Sequence, residues 1–438
     1  MKPLFDVPAL PRPPWWIWLA MAALSGPASA QSGLQCGLSN GQKATGKPIP
    51  VGALVGKTGP DDFSAAAAAA AAYFKCVNDN GGIRGRPVDY VVVDDQWDLK
   101  MAAQGAEELL NRRKVVAMVG SSSFVECGVN AQRYAEEGIL SIAGTGVQRE
   151  CFHAKAYVPL NTGPRISGII AAMQAVKLAA VSTAQEPKGH AVSKMACLIP
   201  NIPGLGDWAC GGLQAWGSKR GIKVEVIAID LGTFSARDVM TKAAAGRPDV
   251  ILMNFPKGIL LPMMAAAQQL DLAKGIRFVS SAPAYSADVA NALGPYWKDR
   301  FFANLEFMPV EHDGPDTRNW LAVMDKYALK TDSRDSFSQS GYLAARLFTQ
   351  AALLIEPTQL DRASLSAGLH RVTNFMSDML CKPFYVGNGK RHNANHSGPI
   401  AVFTGKAWAP LPGGECITAE DPALQDVLTD ERKITLRR

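Results

Sequence analysis

Short apolar runs alternate with longer helical patterns along this chain, and that alternation restricts the possible folds more than any other feature of the sequence. In the first part of the chain, strands are predicted at 49–55, 88–93, 115–119 and 138–142, and helices at 62–78, 99–112 and 125–137. Strands that alternate with helices form a parallel sheet with helices on both faces. The first part of the chain is therefore predicted to be an α/β unit.

The same pattern begins again after residues 159–163. Strands are predicted at 195–199, 224–229, 249–253 and 278–279, and helices at 166–178, 208–220, 236–245 and 260–270. Two more helices are predicted at 316–329 and 340–355, a small strand pair at 382–386 and 401–403, and a peripheral polar tail after Gly413. The predicted fold class is α/β, with two Rossmann-like lobes.

The first thirty residues have the features of a signal peptide. Lys2 and Arg12 precede an apolar run at 15–24, and Ala28-Ser29-Ala30 then provides small residues at the positions that a signal peptidase reads. The run is about ten residues long, well short of the roughly twenty that span a bilayer. We therefore predict that residues 1–30 are a signal peptide and that the mature protein is periplasmic.

Charge and motif content argue against several classes of function. The 45 basic residues are scattered among 39 acidic ones, so nucleic-acid binding is not expected. The chain has no G-x-S-x-G elbow, P-loop or H-E-x-x-H motif, so neither enzymatic activity nor a cofactor is predicted. No C-x-x-C pair occurs, and His392 and His396 lie in a loop-like, Asn-rich stretch, so no metal site is expected.

All eight cysteines lie beyond residue 30, which suits an oxidising compartment. Their order favours local pairing: Cys36 with Cys76, Cys127 with Cys151, Cys197 with Cys210, and Cys381 with Cys416. Other arrangements are possible, so the sequence leaves the connectivity open. The second pair is the best supported, because each member lies just beyond a strand-to-loop turn at the same sheet edge.

Several motifs follow one another in the first half of the chain: Thr58-Gly59-Pro60, the run 77–87, Asp94-Asp95, the run 115–123 and the run 136–140. In order and spacing they resemble the type I periplasmic binding proteins, in the branch that includes the leucine/isoleucine/valine-binding proteins. The resemblance extends from about Pro48 to about Ala409. It implies two lobes joined by a three-segment hinge, with a ligand in the cleft between them.

The resemblance also implies where the chain crosses between the lobes. We place the crossings near Asn161, Met308 and Asp378. Lobe I is then expected to contain residues 31–160 and 308–377, and lobe II residues 161–307 and 378–438 with the tail.

The ligand site is expected in loops at the carboxyl ends of the strands, where helix N-termini present free backbone N–H groups. Ser121, Ser122 and Ser123 follow one strand, and Gly144 and Thr145 follow the next, so together they could hold a carboxylate. The alternative is that the serines only cap their helix.

The resemblance implies further ligand contacts from aromatic side chains and from lobe II. Phe63 and Phe255 lie where the family places aromatic residues, and Tyr285 is expected near the cleft. Ala282 occupies the position at which the amino-acid binders have an acidic residue for the ligand ammonium, and Leu205 replaces an expected tyrosine. Without that acid an ammonium would be unpaired. An organic carboxylate, aromatic or aliphatic, or another non-standard ligand of the amino-acid family is therefore expected.

Two functional roles are consistent with these predictions. The resemblance implies a monomer that delivers a small organic solute to an inner-membrane ABC permease, and amino-acid transport is the branch's usual role. The alternative is a periplasmic sensor subunit that signals to a kinase or chemoreceptor, because the fold alone does not distinguish them.

Overall fold

The computed structural model describes residues 34–180, 189–387 and 391–436. The predicted signal peptide lies outside these residues. The described chain forms a four-stranded sheet, a seven-stranded sheet and a two-stranded ribbon. No helix in these three ranges is long and apolar enough to cross a membrane.

The four-stranded sheet is entirely parallel, with the order β2-β1-β3-β4. Its elements are β1 (Ile49–Val55), α1 (Ala65–Asp79), β2 (Val88–Asp94), α2 (Leu99–Glu107), β3 (Met118–Val119), α3 (Glu126–Glu136), β4 (Ser141–Ile142) and α4 (Arg149–His153). A turn of π-helix continues α2 to Arg112. We refer to this part, with the helices that pack on it, as lobe I.

The seven-stranded sheet forms the second part, which we refer to as lobe II. Its first elements are α5 (Gly163–Ala179), β5 (Lys194–Pro200), α6 (Gly206–Ser218), β6 (Lys223–Ile229), α7 (Ala236–Ala245), β7 (Val250–Met253), α8 (Lys257–Gln269), β8 (Arg277–Ser280), α9 (Ala287–Ala292) and β9 (Phe301–Asn304). The five strands β5 to β9 are parallel. This arrangement confirms the predicted α/β fold class.

The chain then returns to lobe I, where it forms α10 (Pro315–Tyr327), α11 (Ser336–Leu353) and α12 (Arg362–His370). Helix α11 packs along α1 at very short range, because α1 begins with the alanine run and α11 has Gly341 at the contact. A Cβ atom at Gly341 would collide with the backbone of Ala66. Small side chains on both helices therefore permit this approach.

The final elements are β10 (Ser397–Gly398), β11 (Ile400–Phe403), β12 (Trp408–Pro410), β13 (Ile417–Thr418) and α13 (Gln425–Leu436). Strand β11 pairs antiparallel with β9 and with β12, which gives the sheet order β12-β11-β9-β8-β7-β5-β6. Strands β10 and β13 form the ribbon.

The predicted pairing of 382–386 with 401–403 is wrong. Residues 401–403 belong to β11 and pair with β9 and β12, and Phe384 forms only an isolated antiparallel bridge with Phe375. Pro383 has no N–H group to donate to a ladder, and Phe384 is buried in the core of lobe I.

The tail after Gly413 is also less peripheral than predicted. Asp421 is 4% exposed and forms a two-point ion pair with Arg165 of α5. Leu424 and Val427 are buried in the same apolar cluster as α5 and α6. The sequence is polar, but these few apolar side chains suffice to attach the tail to lobe II.

The three crossings between the lobes meet at one side chain. The Asn395 amide donates to the backbone oxygens of Leu160 and Glu306, at 3.0 Å each. Met379, Phe384 and other residues up to Ala394 pack in the core of lobe I. These contacts place the third crossing near Asn395, later in the chain than the expected position at Asp378.

The four predicted disulfide pairs are all present. Cys36–Cys76 attaches the first described segment to α1, Cys127–Cys151 joins α3 to α4, Cys197–Cys210 joins β5 to α6, and Cys381–Cys416 joins the segments before and after the third crossing. Closing a loop of this size stabilises a chain by about 3 kcal/mol in the chain-entropy model.

Candidate functional site

A cavity lies between the lobes. Its lining residues in lobe I and the first crossing are Phe63, Phe124, Thr145, Gly146, Val147, Asn161 and Phe337, and those in lobe II are Pro164, Leu205, Asn254, Phe255, Pro256, Ser281, Pro283 and Glu306. This mostly apolar lining is typical of a site for a small organic molecule.

Aromatic rings dominate the cavity wall. In lobe I, the Phe63 ring lies 4.7 Å from that of Phe124 and 4.9 Å from that of Phe337. Trp97 stacks behind Phe124 at 4.0 Å and so fixes its orientation. Phe255 contributes a ring from lobe II. Packed aromatic rings offer a large apolar surface to a flat ligand.

One carboxyl group lies at the boundary of the lobes. Glu306 follows β9, is 4% exposed and lines the cavity. Its Oε1 atom accepts hydrogen bonds from Thr162 Oγ1 (2.9 Å), Gly163 N (2.8 Å) and Asn161 Nδ2 (3.2 Å). Burial raises the pKa of Glu306 to about 7, although these hydrogen bonds act in the opposite direction.

Gly163 allows this contact because its backbone lies in the left-handed region, with φ of +76°. A Cβ atom there would also collide with the ring of Phe152. Glycine is therefore the residue that lets the first turn of α5 reach the Glu306 carboxyl.

Two polar side-chain atoms of the cavity have no hydrogen-bond partner in the protein. Thr145 Oγ1 and Asn254 Oδ1 are buried and unsatisfied, on opposite lobes. Buried polar atoms are costly without a partner, so both are groups that an occupant can satisfy. Among the described residues lining the cavity there is no Lys, Arg or His.

Three helices of lobe II begin at the cavity. Pro164 lies in the first turn of α5, Leu205 precedes α6, and Pro256 precedes α8. The N-termini of helices carry a partial positive charge. The cavity therefore has a favourable potential for an anion even though no cationic side chain lines it.

The lobes also touch outside the cavity. Asp61 of lobe I accepts a hydrogen bond from the backbone N–H of Gly258 in α8, at 3.1 Å. On the other side, Gln148 of lobe I donates to the backbone oxygen of Pro203, at 3.0 Å. The cavity is thus closed by contacts on two sides.

The structure brings three of the predicted site residues to the cavity: Phe63, Thr145 and Phe255. Gly144 packs instead against α1, because a Cβ atom there would lie 2.8 Å from the Ala66 side chain. The Ser121 hydroxyl accepts a hydrogen bond from Leu54 N at 3.1 Å. The Ser122 hydroxyl is buried without a hydrogen-bond partner. Gly144, Ser121 and Ser122 therefore do not line the cavity.

Ser123 has the capping role that was the alternative interpretation. Its hydroxyl contacts Asp95 and accepts hydrogen bonds from the N–H groups of Val125 (3.1 Å) and Glu126 (3.0 Å) at the start of α3. A side chain with its hydroxyl engaged in this way stabilises the helix end and is not directed at the cavity.

Ala282 and Tyr285 lie close to the cavity but do not line it. Ala282 is buried in a short 3₁₀ turn, and its neighbours Ser281 and Pro283 form the wall. The Tyr285 hydroxyl donates to Glu311 at 2.8 Å, and its ring lines the outer part of the cleft with Asp61 and other residues.

Sequence reasoning missed Phe124, Asn161, Asn254, Glu306 and Phe337 as cavity residues. Asn161 was noticed only as a crossing point. Glu306 had a usable signal, because a lone acidic residue in the apolar stretch 301–307 is expected to be paired or functional. Phe124 and Phe337 had no such sequence signal, because aromatic residues in α/β proteins usually belong to the core.

No group of three or more His, Cys, Asp or Glu side chains in the described part of the chain is arranged to hold a metal ion. The polar groups of the cavity are instead hydroxyl, amide and carboxyl groups, which recognise organic molecules by hydrogen bonds.

Comparison with known proteins identifies the family. A family model described as Periplasmic binding protein matches residues 48–407. No curated protein sequence matches the chain.

Solved structures show the same fold at low sequence identity. A fatty acid ABC transporter substrate-binding protein from Thermomonospora curvata superposes with a TM-score of 0.73, at 19% identity, over 88% of this chain and 96% of that one. A solute-binding protein of an ABC transporter from R. palustris, in complex with 4-hydroxybenzoate, gives 0.69 at 17% identity, over 87% and 100%. Another from R. palustris, in complex with benzoate, gives 0.67 at 16% identity, over 86% and 99%.

The family model covers most of the chain, and the architecture of two α/β lobes around a cavity agrees with it. This chain therefore belongs to the type I periplasmic binding proteins, a family of exported solute-binding proteins.

Proposed function

We propose that this protein captures a small aromatic carboxylate between its lobes and delivers it to an inner-membrane ABC permease. The observation that carries the proposal is the cavity between the lobes, which is walled by Phe63, Phe124, Phe255 and Phe337. A benzene ring contacts such walls on both faces and at its edge, which favours a flat aromatic body over a branched aliphatic one.

The carboxylate end of the ligand is supported by three features. Thr145 offers a hydroxyl without a partner, three helices begin at the cavity, and the lobes contact each other beside it. Hydroxyl donors and helix N-termini bind carboxylates in many proteins.

An ordinary aliphatic amino acid fits less well. Lobe II has Ala282 where an acid would bind the ligand ammonium, and the loop around it contributes Ser281 and Pro283 to the wall. An ammonium group held against Pro283 would lose its hydration without gaining a charged partner there.

Relatives support both the ligand class and the transport role. The two R. palustris proteins are solute-binding proteins of ABC transporters in complex with 4-hydroxybenzoate and benzoate, and the T. curvata protein is a fatty acid ABC transporter substrate-binding protein. All three names describe carriers of organic carboxylates that serve an ABC transporter. We extend that role to this chain.

The proposal is tested with the mature protein, unfolded and refolded to remove any ligand that it carried from the cell. Benzoate, 4-hydroxybenzoate and leucine are each titrated at pH 6 by isothermal calorimetry and by thermal unfolding. We expect benzoate or 4-hydroxybenzoate at 100 times its dissociation constant to stabilise the fold by about 2.7 kcal/mol, and leucine to have no effect. Stabilisation by leucine alone, or by none of the three, would contradict the proposal.

A further inference from the structure

We propose that Glu306 binds the ligand carboxylate through its own proton, so that capture of the ligand takes up a proton from solution. This inference rests on the proposed function and specifies the chemistry of the same cavity. It assigns a specificity role to a side chain that lies where the chain crosses between the lobes.

The two oxygens of the Glu306 carboxyl have different surroundings. Oε1 accepts all three hydrogen bonds from Asn161, Thr162 and Gly163. These three donors by themselves favour the ionised carboxylate, and burial acts against them; when Glu306 takes up a proton, the proton goes to the other oxygen, Oε2. Oε2 is thus left for an occupant of the cavity that Glu306 lines.

The other residues that line the cavity offer no positive charge to an anion, so Glu306 has to be protonated when an anion binds beside it. No Lys, Arg or His is among the described lining residues, and Glu306 is the one ionisable carboxyl among them. Two carboxylates at short range in an apolar cavity repel each other, and one of them takes a proton. A carboxylic acid that donates to a carboxylate makes a short, charge-assisted hydrogen bond.

His392, on the segment that leads to Asn395, is buried with no partner for its ring nitrogens, and burial lowers its pKa to about 4, so it is neutral; other ionisable groups on the neighbouring elements are engaged elsewhere. The pairs are Arg149 with Glu150, Arg165 with Asp421, Lys257 with Asp288, Tyr285 with Glu311 and His396 with Glu431, while Asp335 accepts from the N–H of Ser338. None of these pairs includes Glu306, so burial dominates its behaviour. Burial raises the pKa of this carboxyl to about 7, which leaves it largely protonated in mildly acidic solution.

The consequence for binding follows from linkage. Below pH 7 the proton is already present, and affinity for benzoate is constant until benzoate itself becomes protonated. Above about pH 7 each ligand that binds takes up one proton, so affinity falls about tenfold for each pH unit. A ligand that donated to an ionised Glu306 would show the opposite dependence.

The test measures benzoate binding to the full mature protein by calorimetry at pH 6 and pH 8.5, in two buffers of different ionisation enthalpy. Wild type is expected to take up close to one proton at pH 8.5 and to bind at least tenfold more weakly than at pH 6. Glu306→Gln, whose amide donates at every pH, is expected to bind without proton uptake and with the same affinity at both pH values.

Glu126→Gln is the matched control, because Glu126 is also buried and also has a raised pKa but does not line the cavity. It is expected to retain the wild-type pH dependence. Binding by wild type without proton uptake, or affinity that rises with pH, would overturn this inference and leave the proposed function intact. Absence of binding by any aromatic carboxylate at pH 6 would overturn the proposed function itself. If Glu306→Gln does not fold, the proton uptake measured for wild type still tests whether ligand binding is linked to protonation.

Discussion

Glu126, at the start of α3, and Glu306, after β9, are both almost completely buried, with 1% and 4% of their surface exposed. Burial raises the pKa of the first to about 8 and of the second to about 7. Their surroundings differ. Glu126 accepts a hydrogen bond from Tyr134 at 2.9 Å within the core of lobe I, whereas Glu306 lines the cavity between the lobes.

The comparison shows that burial and a raised pKa do not by themselves identify a ligand-binding group. The difference lies in what each carboxyl faces. Around Glu126 are Tyr134, Tyr157 and Asp95, all of them buried parts of the protein. Around Glu306 the protein supplies three donors to Oε1, and the residue lines the cavity. The proposed role in binding rests on that difference.

The largest expected effect of a single substitution comes from Glu126→Ala. The Tyr134 hydroxyl would remain buried without its acceptor beside a new cavity, so we expect the free energy of unfolding to fall by about 3 kcal/mol. Benzoate affinity at pH 6 should be unchanged within twofold. Urea unfolding and calorimetry measure the two quantities. Weaker binding in this variant would mean that the two carboxyls do not have separate roles.

The next effect is the pH dependence of stability. Both folded-state pKa values lie above the ordinary value of 4.5. Above pH 4.5 the unfolded chain has released protons that the folded chain keeps, so the free energy of unfolding falls as pH rises, by up to about 1.4 kcal/mol per pH unit for each group. This loss should continue to about pH 7 for Glu306 and to about pH 8 for Glu126.

Replacement of each glutamate by glutamine separates the two contributions. Urea unfolding between pH 5 and pH 8.5 should give a shallower fall in both variants than in wild type. Only Glu126→Gln should remove the part of the fall between pH 7 and pH 8. Identical profiles for the two variants would show that the carboxyls titrate as one unit.

The smallest expected effect comes from removing one donor at each site. Tyr134→Phe and Thr162→Val each delete a hydroxyl that donates to a buried carboxyl, and each should cost about 1 kcal/mol of stability. Thr162→Val should also raise the pKa of Glu306, since the ionised form loses a donor, and so shift the decline in benzoate affinity to higher pH. Tyr134→Phe should leave that decline where it is in wild type.

Much of the architecture was predictable because it depends on local patterns. The periodicity of apolar residues located most strands and helices, and the order of the cysteines indicated the four disulfide pairs. The strand at 382–386 was predicted wrongly because an apolar run does not specify its partner. Whether such a run joins a sheet or fills a core depends on the elements that reach it.

The site was less predictable. Thr145 was predicted from a motif that follows a strand, Phe63 and Phe255 were predicted from the family resemblance, and all three line the cavity. Ser123 satisfies the same motif but caps α3. A serine at a helix start can do either, and the difference is the direction of one hydroxyl.

By itself the sequence determined the two α/β lobes and favoured the local cysteine pairs, because hydrophobic periodicity and short loop closure act over a few tens of residues. Only the tertiary structure decided what the cavity contains. Glu306 meets Asn161 and Gly163 across more than 140 positions of the chain, and Phe124 faces Phe337 through Phe63. Contacts of that range have no local signature, since they arise from how separately formed elements pack.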